Sequence, residues 1–297
     1  MKLARIRITF SSIIFILFLL LLFGGEKAAS FLSPFLFAGQ FVPTLIHLCT
    51  KPETLFALGL IFLLGLSLIF GRLYCSFLCP LGTLQDIFIA LSDKTGPRRN
   101  HTFRKPQNWI RYPILVLTFL TAVCGIMSLL SLLDPYSIFA RTMTHLLEPL
   151  TVWTYNAAGG LLHFFDIYVF DKKLPSVPPV IFSVTLGSIL IIGGMSVLSG
   201  RLYCNTLCPV GTLLGLIARV SFFKLALNRT SCNSCGRCAN VCKAGCINTQ
   251  EMTVDQSRCI NCFNCLEACP QSSICYSFAS GKLRPSNWSP ARRGFIT

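Results

Sequence analysis

Uninterrupted apolar runs recur four times along the chain and are separated by polar stretches. They cover residues 8–23, 54–70, 112–133 and 180–199, and none of them contains a Lys, Arg, Asp or Glu. A helix needs about 20 apolar residues to cross a membrane, and about 17 at the lower limit. The first run reaches this length when its flanking residues are included. The pattern therefore predicts four membrane-spanning helices.

Two stretches allow other interpretations. Residues 145–170 are largely apolar but are interrupted by Glu148, Pro149 and Asp166, so we interpret them as an amphipathic or re-entrant segment at the outer face. The first run follows three basic residues and precedes small residues at 26–30, a pattern that is also typical of a cleaved secretory signal. Whether the first run is a membrane span or a cleaved signal, the chain starts on the cytoplasmic side.

Composition agrees with a membrane protein. Of the 297 residues, 53% are hydrophobic and only 12% are charged, and the mean hydropathy is +0.64. A net charge of +15 would suit a nucleic-acid-binding protein. The basic residues, however, flank the apolar runs and do not form a patch with interleaved aromatic residues. We therefore exclude nucleic acid as a partner and expect contact with membrane lipid.

The distribution of basic residues predicts the topology. Of the 26 Lys and Arg residues, 21 fall in residues 1–7, 71–111 and 200–297, and five fall in 26–53 and 134–179. Loops rich in Lys and Arg stay in the cytoplasm. We expect a multi-pass protein of the bacterial inner (cytoplasmic) membrane with both termini in the cytoplasm.

One motif occurs twice, each time directly after an apolar run. The pattern G-R-L-Y-C-x-x-L-C-P-x-G-T-L covers residues 71–84 and returns at 200–213, an offset of 129 residues. The membrane part therefore consists of two duplicated halves with two helices each, related by an axis near the membrane normal. Proline fits the first turn of a helix, so Pro80 and Pro209 are expected to start interfacial helices.

The doubled motif supplies four paired thiols. If the two halves face each other, these thiols suit a tetrahedral metal, a cluster or a redox-active dithiol, but they could also simply pack as small apolar residues. Arg72 and Arg201 could hold nearby thiolates, although the position just inside a membrane span favours an anchor to lipid head groups. The paired thiols are Cys75, Cys79, Cys204 and Cys208.

A second repeat lies near the C-terminus, where the spacing C-x-x-C-x-x-C-x-x-x-C occurs twice with an offset of 27 residues. It resembles the bacterial two-cluster ferredoxins. Three closely spaced thiols bind one [4Fe-4S] cluster, and the fourth ligates the cluster of the other set. We assign cluster one to Cys232, Cys235, Cys238 and Cys269, and cluster two to Cys259, Cys262, Cys265 and Cys242.

Zinc sites and disulfides use C-x-x-C pairs as well, but neither has a use for a repeat of three thiols plus one. The clusters need reduced thiolates, which agrees with a cytoplasmic location. Two residues depart from the ferredoxin pattern: Lys243 stands where one Pro is expected, and Cys246 is an additional thiol. The fourth ligand of cluster two is thus Cys242 or Cys246, and the spacing favours Cys242.

These patterns predict a mainly α protein, a four-helix transmembrane bundle followed by an α+β two-cluster ferredoxin-like domain. We place the membrane domain at residues 1–222, the ferredoxin-like domain at 223–280 and a tail at 281–297. The sequence contains no P-loop, no dinucleotide-binding glycine motif and no G-x-S-x-G, so nothing indicates nucleotide binding or hydrolysis.

Other polar residues are weaker candidates. Three histidines on the predicted outer side could ligate haem or contact a quinol, and four charged residues could form a proton-accepting quinol site. Ordinary interfacial roles are favoured for both groups. The histidines are His47, His145 and His163, and the charged residues are Asp134, Arg141, Glu148 and Asp166.

The C-x-x-x-C-P motifs after membrane helices, together with the two-cluster cysteine pattern, resemble the NapH/MauN-type membrane ferredoxin proteins over roughly residues 54–280. The resemblance implies electron exchange between the two clusters and the quinone pool or a periplasmic redox protein, with catalysis residing in a partner. A cytoplasmic electron donor or acceptor also fits. The alternative is a metal-handling or maturation factor that uses the paired thiols, because related modules occur in copper-handling proteins.

Overall fold

The protein is described by a computed structural model, which covers residues 2–23, 26–50, 53–95, 102–163, 172–229 and 231–278. The chain is mainly helical. The first half contains α1 (Lys2–Phe23), α2 (Glu26–Ala38), α3 (Phe41–Thr50), α4 (Thr54–Phe70), α5 (Tyr74–Phe77) and α6 (Pro80–Thr95).

The second half has the same kind of succession. It contains α7 (Asn108–Val123), α8 (Ser128–Leu133), α9 (Pro135–Thr142), a π-helical turn (Met143–Leu147), α10 (Glu148–His163), α11 (Pro179–Ser199), α12 (Leu202–Thr206) and α13 (Pro209–Ala218).

Two of the predicted spans are long and apolar enough to cross a membrane. They are Leu3–Phe23 within α1 and Pro179–Ser199, which is α11. A third candidate is a bent pair, in which Ser30–Ala38 and Phe41–Thr50 meet at 100°. Helix α4 follows the predicted bounds but has only 17 residues. The four-helix bundle therefore stays a prediction.

The predicted span at 112–133 is wrong as a single helix. Helix α7 ends at Val123, and α8 begins at Ser128. Gly125 lies between them with a φ of +81°, the left-handed conformation in which glycine commonly ends a helix. The stretch 145–170 is helical as far as His163, and whether it enters the membrane stays a prediction.

The duplication of the membrane part is visible in the element order. Helices α4 and α11 end at Phe70 and Ser199, and α6 and α13 begin at Pro80 and Pro209, so both pairs keep the offset of 129 residues. Packing is exchanged between the halves, because α6 packs on α11 and α13 packs on α4. The two motifs consequently meet at the centre of the molecule.

The C-terminal part is a small α+β unit, which we call the cysteine module (residues 223–278). Strand β1 pairs antiparallel with β4, and β2 pairs antiparallel with β3. The module contains β1 (Phe223–Leu227), α14 (Arg237–Asn240), β2 (Ile247–Asn248), β3 (Thr253–Val254), α15 (Asn264–Ala268) and β4 (Ile274–Phe278). The tail at 281–297 lies outside the described residues.

Candidate functional site

The backbone of the cysteine module repeats with the same offset of 27 residues as its thiols. Left-handed φ angles occur at Ser234 and Asn261, again at Gly236 and Phe263, and again at Gly245 and Ser272. Non-glycine residues rarely adopt this conformation, so its recurrence at matching positions reflects a common loop geometry. The two cysteine loops are therefore equivalent in structure as well as in sequence.

Five thiols line one cavity inside the module. The other lining residues are apolar, and no side chain with a charge competes for the space. All five thiols are buried. Thiolates in an apolar shell are the donor set that a [4Fe-4S] cluster uses, so the residues present fit this group. The thiols are Cys242, Cys246, Cys259, Cys262 and Cys265.

Cys242 and Cys246 lie side by side, with their Sγ atoms 3.5 Å apart. A hydrogen bond from the Cys246 thiol, together with N–H groups of Ala244, Gly245 and Cys246, lowers the pKa of Cys242 to about 6, although burial opposes this shift. The same hydrogen bond raises the pKa of Cys246. This arrangement favours Cys242 as the thiolate ligand and Cys246 as a hydrogen-bond donor, and the assignment stays a prediction.

The first thiol set is more open. Cys235 is exposed, Cys232 and Cys269 are half-buried, and Cys238 is buried. The pKa of Cys238 is raised to about 11, mainly by burial and to a smaller extent by nearby Cys269, Cys232 and Cys235. Cys269 therefore lies close enough to Cys238 of the other loop to affect its pKa, and the assignment of Cys269 to cluster one stays a prediction.

Within the described residues, no three His, Cys, Asp or Glu side chains have the arrangement of a metal-ion site. This holds for the thiols of the module and for the four paired thiols alike. The ligand assignments in both places therefore stay predictions.

The paired thiols are buried in the core of the membrane part. Cys75 and Cys204 lie in the short helices α5 and α12, and Cys79 and Cys208 directly precede α6 and α13. Cys208 caps α13, since its Sγ accepts a hydrogen bond from the Gly211 N–H at 3.2 Å. The Cys204 thiol donates to Gln85 Oε1 at 3.2 Å, and Arg72 Nη2 lies 3.9 Å from Cys75 Sγ. The thiols therefore have specific polar partners as well as apolar neighbours.

Arg72 and Arg201 do not reach lipid head groups, so the predicted anchor role is wrong. Both are fully buried, and each crosses to the opposite repeat. Arg72 Nη2 donates to the Cys204 carbonyl at 2.8 Å, and Arg201 Nη1 donates to the Cys75 carbonyl at 2.5 Å. The exchanged helices α6 and α13 enclose the guanidinium groups, so these groups do not extend toward the membrane surface.

The carboxylate of Asp86 forms ion pairs with three basic side chains. Arg7, Arg201 and Lys243 each approach its carboxylate, at 2.7, 2.7 and 2.9 Å. Burial alone would raise the pKa of Asp86, but the three cations outweigh it and keep the pKa well below its usual range. Neither Asp86 nor its neighbour Gln85 was predicted as a site residue. The signal that could have indicated them is their place in the helix that follows the first motif.

The outer-side candidates have structural partners. His47 stacks on Phe56 with ring centroids 4.3 Å apart. Asp134 caps α9 by accepting from Ser137, and Arg141 Nη2 donates to the carbonyl of Ser131 at 2.9 Å. These contacts agree with the ordinary roles that the sequence favoured. His145 lies in the π-helical turn and Glu148 begins α10, whereas the His163 side chain and Asp166 lie outside the described structure.

Comparison with known proteins gives a family match at both motifs. A family described as a 4Fe-4S binding domain matches residues 54–98 and again residues 180–229. The matched segments contain the ends of α4 and α11, the paired thiols and the helices that follow them. The same family thus matches both copies of the repeated motif, while the duplication of the whole membrane part stays a prediction.

Three relatives illustrate the similarity. YccM of Escherichia coli (strain K12), whose name proposes a role in electron transport, is 27% identical over 208 residues, which are 70% of this chain and 51% of YccM. Ferredoxin-type protein NapH of Haemophilus influenzae is 24% identical over 236 residues, 76% of this chain and 69% of NapH. Methylamine utilization ferredoxin-type protein MauN of Paracoccus denitrificans is 29% identical over 187 residues, 62% of this chain and 51% of MauN.

The chain spans about half the length of YccM and of this MauN. No solved structure matches the chain.

Proposed function

Because the chain belongs to the NapH/MauN-type ferredoxin proteins, we propose that it is a membrane-bound electron-transfer protein. It would carry two [4Fe-4S] clusters on the cytoplasmic side and exchange electrons with the quinone pool or with a membrane or periplasmic redox partner. The substrate chemistry would belong to that partner.

The observation that carries this proposal is the crossed grouping of the thiols in the cysteine module. Cys242 of the first loop lines the cavity of the second loop, and Cys269 of the second loop lies close enough to Cys238 of the first loop to raise its pKa. A [4Fe-4S] cluster, when bound, takes up and releases single electrons. The relatives NapH and MauN are named ferredoxin-type proteins, which supports the same chemistry.

The protein's own residues control the environment of the thiols. The backbone N–H groups of Ala244 and Gly245 help to lower the pKa of Cys242, and the Ser273 N–H donates to Cys269 Sγ at 3.3 Å. Donors of this kind stabilise negative charge on sulfur, and the apolar walls exclude water. Both effects tune the potential at which thiolate-bound iron is reduced.

The proposal is tested with full-length protein purified anaerobically in detergent. We expect about eight irons and a matching amount of sulfide per chain, because each [4Fe-4S] cluster contributes four of each. Addition of a reduced quinol analogue should produce the electron paramagnetic resonance (EPR) signal of reduced clusters, and a quinol-site inhibitor should suppress it. Far fewer irons in a folded sample would contradict the cluster assignment, and reduction by dithionite alone would contradict the link to quinol.

A second function, the handling of a soft metal ion by the paired thiols, is supported by one further observation. Gln85 is fully buried next to Cys204, and its Nε2 has no hydrogen-bond acceptor among the described residues. A buried donor without an acceptor is costly, and a thiolate or metal-bound thiolate beside it would accept its hydrogen bond.

Copper(I) titration under anaerobic conditions separates the two functions. If the paired thiols hold metal, the wild type binds copper(I), and a Cys75→Ser and Cys204→Ser double variant loses the binding while it keeps its iron. Cys49→Ser serves as the control, since this thiol is exposed and lies outside both motifs. Equal binding by the double variant would exclude the second function.

A further inference from the structure

The loops that carry the second thiol set, the thiols assigned to cluster two, are in direct contact with the membrane part. This set consists of Cys242, Cys259, Cys262 and Cys265. Lys243 Nζ binds Asp86 Oδ1 at 2.9 Å, and the Lys243 carbonyl accepts from the Arg201 N–H at 2.8 Å. The next carbonyl, that of Ala244, accepts from Asn205 Nδ2 at 3.1 Å. One edge of the loop is thus bonded to the second repeat and to α6.

The other edge is bonded to the first repeat. The Ser257 carbonyl accepts from Arg72 Nη1 at 3.1 Å and from Arg111 Nη2 at 3.3 Å. Asn261 Nδ2 donates to the Phe70 carbonyl, which also accepts from the Tyr276 hydroxyl at 3.0 Å. The two repeats therefore hold the second thiol set from two sides.

The glycine of each motif makes this approach possible. A Cβ atom on Gly200 would lie 2.3 Å from the Lys243 carbonyl oxygen, and one on Gly71 would lie 3.1 Å from Asn261 Nδ2. Both glycines also have positive φ angles, 70° and 79°. A side chain at either position would push the loop away from the membrane part.

The contact of Lys243 with Asp86 gives a structural reason why a lysine, and not the proline of the ferredoxin pattern, follows Cys242. Proline at this position would provide no cation for Asp86. The same residue directly follows Cys242, so the contact with Asp86 fixes the position of this thiol relative to α6. The departure from the pattern thus lies at the contact between the module and the membrane part.

The first thiol set faces away from these contacts. Among the described residues, those at 231–241 form no hydrogen bond or ion pair with the membrane part. Cys235 and Arg237 are exposed, whereas Cys259 and Cys262 are buried. The module therefore has one bonded side and one free side.

We propose that Lys243 and the turns at Gly71–Arg72 and Gly200–Arg201 position the second thiol set permanently on the membrane part, while the thiols Cys232 and Cys235 of the first set remain open to the solvent. The inference rests on the proposed function only in that both thiol sets hold clusters. The contact between the module and the membrane part does not depend on quinol chemistry. Lys243 acts here as a positioning residue through Asp86 and Cys242.

The first test uses hydrogen exchange on the full-length protein. Lys243→Met should accelerate amide exchange at 243–246 and 257–262 by about tenfold, the effect of losing one hydrogen bond to a charged group. Lys243→Arg should stay close to the wild type because it keeps the cation, and residues 232–240 should not change in either variant. Unchanged exchange at 257–262 in Lys243→Met, or an increase spread over the whole module, would overturn the proposal.

The second test uses an aqueous dysprosium chelate, which accelerates the spin relaxation of paramagnetic centres that lie near the protein surface. In dithionite-reduced protein, the EPR signal that is altered by Cys235→Ser should relax several-fold more strongly than the signal altered by Cys262→Ser. Equal or reversed sensitivity would overturn the proposal. Neither test needs quinol, so a failure of quinol reduction would count against the proposed function alone.

Discussion

Arg72 and Arg201 occupy equivalent positions in the two motifs, and each is bonded to the cysteine carbonyl of the other repeat. A buried guanidinium group needs several acceptors, because each unsatisfied N–H group costs free energy. Arg201 finds the carboxylate of Asp86, whereas Arg72 finds Asn205 Oδ1 at 2.6 Å and the Ser257 carbonyl. At the scale of single residues, therefore, polar contacts link the repeats to each other and to the cysteine module.

Asp86 should be important for stability. Asp86→Asn removes the charge that compensates Arg7, Arg201 and Lys243, and we expect it to lower the free energy of unfolding by about 3 kcal/mol. Asp93→Asn, on the exposed side of the same helix, should change it by less than about 1 kcal/mol. Thermal unfolding in detergent provides the measurement, and equal effects of the two substitutions would contradict the role of Asp86.

The lowered pKa of Asp86 determines how its contribution to the free energy of unfolding depends on pH. A carboxyl whose pKa is lower in the folded state stabilises the protein above the pKa of the unfolded state, about 3.9, and loses this contribution as the pH falls toward the folded value. The difference between wild type and Asp86→Asn should therefore be constant from about pH 8 to pH 5 and narrow only in stronger acid.

Iron content distinguishes Cys242 from Cys246. If Cys242 is the fourth ligand of cluster two, Cys242→Ala should lose up to about half of the iron, because one of two clusters depends on it. Cys246→Ala should keep the iron and shift the reduction potential of one cluster, since only a hydrogen bond to sulfur is removed. The reverse pattern of iron loss would make Cys246 the ligand.

The sequence identified the thiols but not their polar neighbours. Cysteine spacing is a strong signal because the motifs repeat at fixed offsets, whereas Asp86 and Gln85 are single polar residues in a helix that could equally face water. The burial of Arg72 and Arg201 could not be predicted either, because basic residues after a membrane helix usually interact with head groups.

At the scale of the helices, the short turns around the paired thiols depend on close backbone contacts. A Cβ atom on Gly211 would lie 2.3 Å from the Cys204 carbonyl oxygen and 2.8 Å from Arg72 Nη2, and Gly82 has the equivalent contacts with Cys75 and Arg201. Gly82 and Gly211, two residues after the proline of each motif, therefore leave room for the arginine that crosses from the other repeat.

Gly211→Ala should disrupt this crossing. Overpacking of a buried contact costs about 1–3 kcal/mol, so we expect a corresponding loss of stability and a lower yield of folded protein. Gly187→Ala in α11 is the matched control, because a Cβ atom there meets no described atom within 4 Å, and its effect should be below about 1 kcal/mol. Comparable losses in both variants would indicate a general effect of substituting glycine in helices.

Element boundaries were predictable where proline or glycine sets them. Pro80, Pro209 and the ends of α4 and α11 lie where the sequence places them. The break after Val123 was not predicted, because Gly125 lies inside an apolar run and a single glycine does not always end a helix.

At the scale of the whole molecule, the module is bonded to the ends of α4 and α11, so both helix ends lie on the same side of the protein as the thiols. The asymmetry of basic residues predicts that this side is the cytoplasm. Two long apolar helices support a membrane protein, while the number of spans stays a prediction.

Reporter fusions test the topology. A fluorescent protein that matures only in the cytoplasm should be active when fused after residue 95 or after residue 278. An export-dependent phosphatase should be active when fused after residue 50 or after residue 172. An active phosphatase after residue 278 would place the module outside and would contradict the predicted orientation.

The exchange of α6 and α13 between the halves has a consequence for the history of the chain. A protein with only one motif would lack the guanidinium group that encloses its cysteine turn, and it could obtain that group only from a second copy of itself. A two-fold symmetric homodimer would supply both arginines and all four thiols. In such a dimer, a single cysteine module would have to bind across the symmetry axis, with Lys243 on one copy and Asn261 on the other. Either copy could then receive either edge of the module. In a fused chain, the connection decides which repeat contacts Lys243 and which contacts Asn261.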